Sequence, residues 1–327
     1  MTDLIIGIDI SAQTLDICIR EQRCDQFFVI KNKVGAIKKF LVPLVSKDRN
    51  ILLGMENTGR YNYNLYEVLR TLELKTFVIY PFHLKKSLGL VRGKNDKVDA
   101  ERIANFVEKN HKELDPWKPC SETIMEMKYV MTERRSKIKT RARLLQQQRD
   151  LKLIKDPRLK RRLVNMFNKS LKLVSQQIKD LEAILEELID MDQTIREQIE
   201  LVRSVPGVGT VLSTAIVIKT EGFNTYTDPR KLACSAGVVP FNYQSGISLK
   251  SRNRVSHMAD KSMKTLLHMA AMRAVRLECD LKYYYQRKIA EGKNKMSVLN
   301  AVRNKIIHII YALIKNQTIY KNSLSLS

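Results

Sequence analysis

The stretch "LIIGIDI" (residues 4–10) is short, apolar and rich in β-branched residues, a composition typical of a buried strand. The following "LDICIRE" (15–21) alternates apolar and polar residues, so we expect it to pair with the first strand. The segment "QFFVIKN" (26–32) predicts a third strand. The chain therefore begins with a predicted run of three strands.

Two further apolar runs, "NILLGMEN" (50–57) and "KTFVIYP" (75–81), predict buried strands that alternate with helices. Amphipathic patterns predict helices over 34–46 and 61–73, and "DKVDAERIANFVEK" (96–109) turns helical at its first aspartate. Three strands followed by alternating helix and strand indicate a mixed α/β layer domain. We expect this domain to span residues 1–115.

The composition changes at "LDPWKPCSE" (114–122), where two prolines and the only tryptophan predict a linker. Strand patterns then disappear. Residues 134–172 hold fifteen Lys and Arg against two acids, and Pro157 must interrupt any helix there. A basic, helical middle region is therefore predicted over residues 120–202.

A seven-residue apolar repeat in this region predicts a helix with a coiled-coil seam. The seam residues step by four and three: Phe167, Leu171, Val174, Ile178, Leu181, Leu185, Leu188, Ile195, Ile199 and Val202. Asp192 is the one polar break in a helix that the repeat predicts to be continuous, and it either marks where the paired helices part or sets their register. The seam needs a partner helix, which is either a second copy of the chain or the segment 121–156 of the same chain folded back on it. A single long helix of a compact bundle is the third interpretation.

The final region, residues 203–327, is predicted to be mostly helical. "SVPGVGTVLSTAIV" (204–217) places Pro-Gly-x-Gly between two helical patterns and resembles a helix-hairpin-helix element, although an ordinary interhelical turn fits it equally well. Residues 258–278 and 296–315 predict helices with apolar and basic faces. Between them lies a basic stretch with three consecutive tyrosines, "CDLKYYYQRKIAEGK".

The overall charge predicts a polyanionic partner. The 327 residues include 58 Lys and Arg against 34 Asp and Glu, a formal net charge of +24. Such an excess makes nucleic acid the first expected partner and a membrane surface a weaker one. Five cysteines without a CxxC pair predict reduced thiols in a cytosol, and the longest apolar run near the end, "IIHIIYALI", is too short to span a bilayer. Asp3 and a strand-like start argue against a signal peptide.

Four carboxylates stand at positions where an α/β sheet brings ligands together. Asp9 lies near the end of the first predicted strand, Glu56 ends the fourth, and Asp96 and Asp99 share one face of a helix start. Oxygen ligands suit Mg²⁺, and two such ions can clamp the attacking and leaving oxygens of a phosphodiester. Each acid alone also has a structural interpretation: Asp96 as an N-cap with Asp99 as its capping partner, and Glu56 as a turn acid.

Three motifs in this order, "IGIDIS", "MENTGRY" and "KNDKVDA", resemble the DEDD transposases of bacterial insertion sequence family 110, a family that also contains a pilin-gene invertase. The resemblance implies a RuvC-like N-terminal domain of the RNase H type. It also implies that Asp9, Glu56, Asp96 and Asp99 are the metal-binding catalytic acids. The fold class expected is thus a RuvC-like α/β domain, a helical coiled-coil middle and a mostly α C-terminal domain.

The second half also resembles this family, in "PGVGTVLSTAI" and "LACSAGVVPFNYQSGISLKSR". The family's nucleophile, the serine of a Ser-Gly step, falls on Ser245, with Ser248 as the second choice. From the residues alone, Gly246 permits close approach of a phosphate, but a plain Ser-Gly turn is the simpler interpretation. Possible phosphate ligands follow in the chain, at Arg252, Arg254 and Lys261. The nearest histidine, His257, is predicted to be a surface residue.

The resemblance implies a DNA transposase that cuts and rejoins strands through a phosphoserine intermediate, with Mg²⁺ as cofactor. Its expected partners are donor and target double-stranded DNA, a non-coding bridge RNA, and copies of itself in a dimer or tetramer with composite sites. No membrane association is expected, and the expected location is the bacterial cytoplasm, associated with the nucleoid.

Three other functions fit parts of the sequence. A RuvC-like Holliday-junction nuclease would use the four acids and water only. A sugar kinase would share "IGIDIS" but needs a second, Gly-rich phosphate loop of the DxGG kind, which the sequence lacks. A non-enzymatic coiled-coil DNA-binding protein leaves the acids unexplained.

Overall fold

The computed structural model of the chain describes most of its 327 residues. The described residues are 4–22, 24–45, 49–72, 74–81, 83–84, 95–241, 244–245, 249–250, 254–255 and 259–322. The chain forms two compact units, Met1–Pro119 and Cys120–Ser327. Their boundary falls within the linker predicted over residues 114–122, and the predicted middle and C-terminal regions belong to one unit.

The first unit is an α/β unit whose elements follow the predicted order. Its strands are β1 (Leu4–Ile10), β2 (Thr14–Glu21), β3 (Cys24–Lys31), β4 (Ile51–Glu56) and β5 (Lys75–Ile79). Its helices are α1 (Val34–Leu41), α2 (Tyr63–Leu69) and α3 (Asp96–Asn110), with short 3₁₀ turns at Val42–Leu44 and Gly59–Asn62.

The five strands form one mixed sheet in the order β3-β2-β1-β4-β5. The first three strands are an antiparallel meander, whereas β4 lies parallel to β1 and β5 lies parallel to β4. β1 is therefore central, and its C-terminal end lies beside the C-terminal end of β4, where Ile8 is opposite Met55. This edge of the sheet is where side chains that follow parallel strands can meet.

The two faces of the sheet bury different helices. On one face, residues such as Ile6, Ile8 and Ile17 form a core with Ile37 of α1 and Leu65 of α2. The other face packs against α3, whose core includes Ala100, Ile103, Ala104 and Val107 together with Ile5, Cys18, Leu52 and Phe77 of the strands. Successive strand residues alternate between faces, so Ile5, Gly7 and Asp9 all point towards the α3 side.

Gly7 allows α3 to lie directly on β1. A Cβ atom at this position would stand 2.3 Å from the Ala100 carbonyl oxygen and 2.5 Å from the Ala104 amide nitrogen. Both are backbone atoms, so neither can move without displacing the helix. The absence of a side chain at Gly7 thus sets the height of α3 above the strand, and with it the position of the α3 N-terminus.

We expect Gly7→Ala to destabilise the protein by about 1–3 kcal/mol, because the added methyl group overpacks a helix–sheet contact made by backbone atoms. Urea unfolding followed by circular dichroism measures the change. The matched control is Gly35→Ala in α1, where a Cβ atom meets nothing within 4 Å. That change should leave stability unaltered or raise it by about 0.5–1 kcal/mol, as glycine is unfavourable inside a helix. Equal urea midpoints for Gly7→Ala and wild type would contradict the packing argument.

The second unit is mostly helical. Its helices are α4 (Glu122–Asp150), α5 (Pro157–Met191), α6 (Gln193–Arg203), α7 (Thr210–Thr220), α8 (Pro229–Ser235), α9 (Lys261–Ala274), α10 (Asp280–Ala290) and α11 (Lys295–Asn316). Among the described residues between α8 and α9 there are short strands: β6 (Pro240–Phe241), β7 (Gln244–Ser245), β8 (Leu249–Lys250) and β9 (Arg254–Val255). The tyrosine-rich stretch 279–293 thus contains a helix, α10, that periodicity did not predict.

Helices α4 and α5 form an antiparallel hairpin within one chain. Arg134 Nε and Nη2 donate to Glu182 Oε1 at 2.8 and 2.6 Å, and Gln148 Nε2 donates to Asn168 Oδ1 at 2.7 Å. As one residue number rises the other falls, so the helices run in opposite directions. Of the two predicted partners for the seam, the structure shows the segment of the same chain folded back on it.

The predicted continuous helix from Phe167 to Val202 is wrong at Asp192. Helix α5 ends at Met191, and Asp192 adopts an extended conformation with φ −123° and ψ 103°. Its carboxylate accepts a hydrogen bond from the Ile195 amide at 3.1 Å and caps α6. An aspartate bonds the backbone amides of a helix start better than it packs in an apolar seam, so the polar break becomes a helix boundary. Pro157, as predicted, interrupts the helical region, and it begins α5.

The remaining helices enclose a core that includes Val202, Leu212, Ile216, Leu267 and Ile306. The Pro-Gly-x-Gly sequence is the turn between α6 and α7. Gly207 has φ +86°, and a Cβ atom there would stand 2.3 Å from the Ala270 carbonyl oxygen of α9. The turn therefore requires glycine for its conformation and for its packing. Within the described residues, no helix has both the length and the apolar composition of a membrane span.

Candidate active site

The C-terminal end of β1 places Asp9 on the α3 side of the sheet. Its Oδ1 accepts a hydrogen bond from the amide of Ile10 at 3.0 Å, and the side chain is half-buried. The residues on either side, Ile8 and Ile10, are buried in the opposite face. Apolar alternation along the strand therefore forces the carboxylate of Asp9 towards α3.

The first turn of α3 presents Asp96 and Asp99 to the same place. The N-cap is Asn95, whose Oδ1 accepts a hydrogen bond from the Lys97 amide at 3.3 Å. The alternative in which Asp96 caps the helix is therefore wrong, because Asp96 is the first helical residue. Acids in a first helical turn are favoured by the helix dipole, and i, i+3 spacing puts both on one face.

Three of the four predicted acids converge. Asp9, Asp96 and Asp99 each offer a carboxylate oxygen, and these oxygens all lie within 4.8 Å of one another. The set contains oxygen donors only. Mg²⁺ and Mn²⁺ prefer oxygen ligands, whereas softer metals prefer nitrogen or sulfur ligands. Three like charges this close repel one another unless a cation lies between them. The residues present therefore fit a divalent metal ion.

Glu56, the fourth predicted acid, ends β4 on the strand next to Asp9. Its carboxylate is not part of the group within 4.8 Å. It is near enough, however, for its charge to raise the pKa of Asp9. Glu56 thus lies on the β4 side of the three clustered acids.

The electrostatic environment disfavours ionisation of Asp9. Burial is the main cause, and together with the charges of Asp99, Glu56 and Asp96 it raises the pKa of Asp9 to about 6. The Ile10 amide acts in the opposite direction. A bound cation would reverse this effect, because it favours the ionised carboxylate. Asp99 already has a cationic partner, since Arg102 Nη1 lies 2.7 Å from its Oδ1.

Two residues near these acids were not found by sequence reasoning. One is Arg102, which follows Asp99 by three residues on α3 and is a recognisable i, i+3 partner. The other is Asp16 of β2, which stands directly opposite Asp9 in the β1–β2 ladder. Its signal was present in the alternation of "LDICIRE", but it required the register of the hairpin to be known.

Ser245, the predicted nucleophile, lies in the second unit, whereas the four acids lie in the first. It ends the short strand β7 and is paired with Leu249 of β8. The neighbouring strands β6 and β9 pair through Pro240 with Val255 and Phe241 with Arg254. Ser245 therefore belongs, through its backbone, to a short antiparallel strand pair between α8 and α9.

Four other positions singled out from the sequence lie outside the described residues: Gly246, Ser248, Arg252 and His257. Of the candidate phosphate ligands, Arg254 belongs to β9, and Lys261 is exposed at the start of α9. Asp260 caps that helix, and its Oδ1 accepts hydrogen bonds from the Ser262 and Met263 amides at 3.1 Å.

The α4–α5 hairpin contains the basic segment predicted from the sequence, residues 134–172. Twelve of the fifteen Lys and Arg between residues 134 and 172 are exposed. Within the described part of the chain, Arg134 is the one member of this set that forms a salt bridge, to Glu182. Unpaired, exposed cations at this density form a candidate surface for phosphate groups.

Comparison with known proteins finds two family models that match successive parts of the chain. A model of DEDD transposases of the IS110 type, described as "Transposase", matches residues 6–152. A second model, described as "Transposase IS116/IS110/IS902 family", matches residues 199–286. The first match contains all four acids, and the second contains Ser245.

Individual relatives also match, two of them over nearly the whole chain. The chain is 24% identical over 327 residues to the pilin gene-inverting protein of Moraxella bovis, covering 96% of this chain and 97% of that protein. The pilin gene-inverting protein of Moraxella lacunata has the same identity and coverage. An uncharacterized 42 kDa protein of insertion element IS900 from Mycobacterium paratuberculosis is 23% identical over 122 residues, which is 37% of this chain and 30% of that protein.

Proposed function

The chain belongs to the IS110 family of DEDD transposases, enzymes of DNA recombination, and from this premise we propose that it cuts and rejoins DNA strands of an insertion sequence through a covalent phosphoserine intermediate. The observation that carries the proposal is the convergence of Asp9, Asp96 and Asp99 from separate parts of the chain. The strand order, with β1 central and β4 parallel to it, supports a RuvC-like fold of the RNase H type.

Asp9, Glu56, Asp96 and Asp99 are the residues that would hold Mg²⁺. When bound, the cation would stabilise negative charge that develops on the phosphodiester oxygens. The protein's own contribution is to hold the carboxylates in place: β1 orients Asp9, the first turn of α3 orients Asp96 and Asp99, and Arg102 forms a salt bridge with Asp99.

Ser245 supplies the nucleophile. Its Oγ attacks the phosphorus atom of one phosphodiester and forms an Oγ–P bond, while the bond from phosphorus to one deoxyribose oxygen breaks. The Ser245 proton passes to water as Oγ attacks, and the released deoxyribose oxygen takes up a proton from water to become a free hydroxyl. Attack by the hydroxyl of another strand reverses these steps and releases Ser245, so that no high-energy cofactor is consumed.

A strand-cleavage assay tests this function. The substrate is supercoiled DNA that carries the ends of the element and the adjacent non-coding segment. An RNA copy of that segment is added, and the mixture is incubated with the full chain in Mg²⁺ or in EDTA. We expect nicked and joined products in the Mg²⁺ reaction and none in the EDTA reaction. Equal cleavage in EDTA would contradict the metal assignment.

The RNA and the oligomer belong to the same proposal. Bridge RNA would pair with donor and target DNA, and a dimer or tetramer would present more than one nucleophile, as two strand exchanges require. The unpaired cations of the α4–α5 hairpin support this surface as the place where nucleic-acid phosphates bind.

Replacing four adjacent cations at the start of α5 should weaken binding and lower its salt dependence. The four substitutions to Ala are at Arg158, Lys160, Arg161 and Arg162. Every cation that no longer neutralises a phosphate lowers the slope of log K against log salt by about 0.7–0.9, so four substitutions should lower it by about 3. Binding is measured by fluorescence anisotropy at several salt concentrations.

The matched control removes the same charge from the first unit. It replaces four exposed lysines with Ala, at Lys31, Lys33, Lys38 and Lys39. We expect this variant to keep the wild-type slope. An equal loss of slope in both variants would mean that net charge, rather than the hairpin, determines binding.

A further inference from the structure

Asp16 is a carboxylate on the same face of the sheet as the clustered acids. In the antiparallel β1–β2 ladder it is the partner of Asp9, just as Cys18 is the partner of Gly7. Residues directly opposite in such a ladder project to the same face, with Cβ atoms about 4.5–5.5 Å apart. Cys18, two residues along, is buried in the core made with α3, which confirms that this face of β2 is the α3 face.

The acids form a row across three strands because of this register. Asp9 is central on β1, Glu56 lies on the β4 side, and Asp16 lies on the β2 side. Asp96, at the start of α3, is close enough for its charge to raise the pKa of Asp16, after the larger effect of burial. Asp16 thus adds a negative charge next to carboxylates that already repel one another.

Nothing in the described part of the chain offsets that charge. The Asp16 side chain has no hydrogen bond or salt bridge there, although it is half-buried. Other acids on this side are paired: Asp25 and Glu108 with Arg20, at 2.5 and 2.8 Å, and Asp99 with Arg102. A half-buried carboxylate without a partner costs stability, and a cation supplied from solution would offset that cost.

We propose that Asp16 is an additional residue of the metal site. On the β2 side of Asp9, its carboxylate would accept hydrogen bonds from water ligands of the divalent cation. The proposal rests on the metal assignment made above for the DEDD acids. Mg²⁺ gives up its water reluctantly and keeps several water ligands, and these waters need acceptors. Asp16 lies outside the 4.8 Å group but on the same face of the sheet, so its carboxylate can be one of these acceptors. In this role it would orient the water ligands of the ion.

Direct titration of the full chain with Mn²⁺ tests this role without relying on activity. Isothermal titration calorimetry compares wild type with Asp16→Asn, Asp9→Asn and Glu21→Gln. We expect Asp16→Asn to weaken Mn²⁺ binding about tenfold, the lower end of losses seen for residues that support metal ligands. Asp9→Asn should abolish binding.

Glu21→Gln is the control for net charge. Glu21 lies on the same strand, ~17 Å further along at ~3.3 Å per residue, and interacts at 3.7 Å with Arg49. It should bind Mn²⁺ as wild type does. If Glu21→Gln weakened binding as much as Asp16→Asn, the effect would be one of overall charge, and the proposal would be overturned.

A second measurement separates a metal role from a structural one. Without metal, Asp16→Asn should raise the melting temperature, because it removes a charge that is repelled by Asp96; with saturating Mn²⁺, it should gain less stability than wild type does. A lower melting temperature without metal would show a structural role and overturn the proposal. Wild-type binding of Mn²⁺ that is unchanged in Asp16→Asn would overturn the role of Asp16 alone, whereas no binding by wild type would overturn the metal assignment itself.

Discussion

Replacing Asp9 with Asn should abolish strand cleavage in Mg²⁺, a loss of at least about 10²-fold, while nucleic-acid binding at fixed salt stays within about twofold of wild type. Asp9 is the one acid that lies between the others: its oxygen belongs to the group with Asp96 and Asp99, and its strand neighbours that of Glu56. Asn keeps the shape of the side chain but removes the charge. Binding rests on Lys and Arg contacts to phosphates, which the change does not touch.

Stability measurements show whether the loss of cleavage in Asp9→Asn comes from unfolding of the protein. The folded pKa of Asp9, about 6, lies above its ordinary value of 3.8, so the ionised carboxylate destabilises the metal-free fold at neutral pH. This penalty is fully present above about pH 6 and disappears as the pH falls through 4. Asp9→Asn should therefore be more stable than wild type at pH 7.5 without metal, and this advantage should vanish near pH 4. Near wild-type cleavage by a folded Asp9→Asn protein would refute the catalytic role of the acids.

Replacing Ser245 with Ala should eliminate the covalent protein–DNA adduct, because the methyl side chain of Ala has no atom that can attack phosphorus. A denaturing gel of stalled reactions with labelled DNA measures the adduct directly. Loss of adduct should be complete, in contrast to the graded effects of phosphate contacts, since without its nucleophile the transferase step does not occur.

Ser248→Ala is the matched control, because it removes the same hydroxyl group three residues further along the chain. It should keep the adduct. If Ser248→Ala lost the adduct and Ser245→Ala retained it, the nucleophile would be Ser248. Cleavage without an adduct in any variant would instead indicate a RuvC-like nuclease in which water attacks.

Local sequence patterns predicted most elements of the first unit. The apolar runs at 4–10 and 50–57 became β1 and β4, and the helical pattern that begins at Asp96 became α3. These predictions succeed because a strand buried on both faces must be apolar throughout, and a helix start carries acids and a capping residue. Both signals lie within a few consecutive residues.

Predictions in the helical unit were less complete, because periodicity shows which face of a helix is buried but not what covers it. Three residues of the repeat in α5 are buried, namely Val174, Leu185 and Leu188. Its partner in the structure, α4, has a charged and less regular pattern. The end of α5 at Asp192 was also hidden, because one polar residue in a long repeat is compatible both with a tolerated defect and with a helix cap.

The sequence by itself determined the local elements, the positive charge and the chemical type of the candidate site, because these depend on residue identity and short-range spacing. Tertiary structure alone decided which groups meet. Gly7 lets α3 lie on β1 and brings Asp96 and Asp99 to Asp9, and the β1–β2 register places Asp16 opposite Asp9. A shift of one residue in that register would turn Asp16 to the opposite face of the sheet. Such contacts follow from the joint burial of surfaces distant in sequence, which no local pattern specifies.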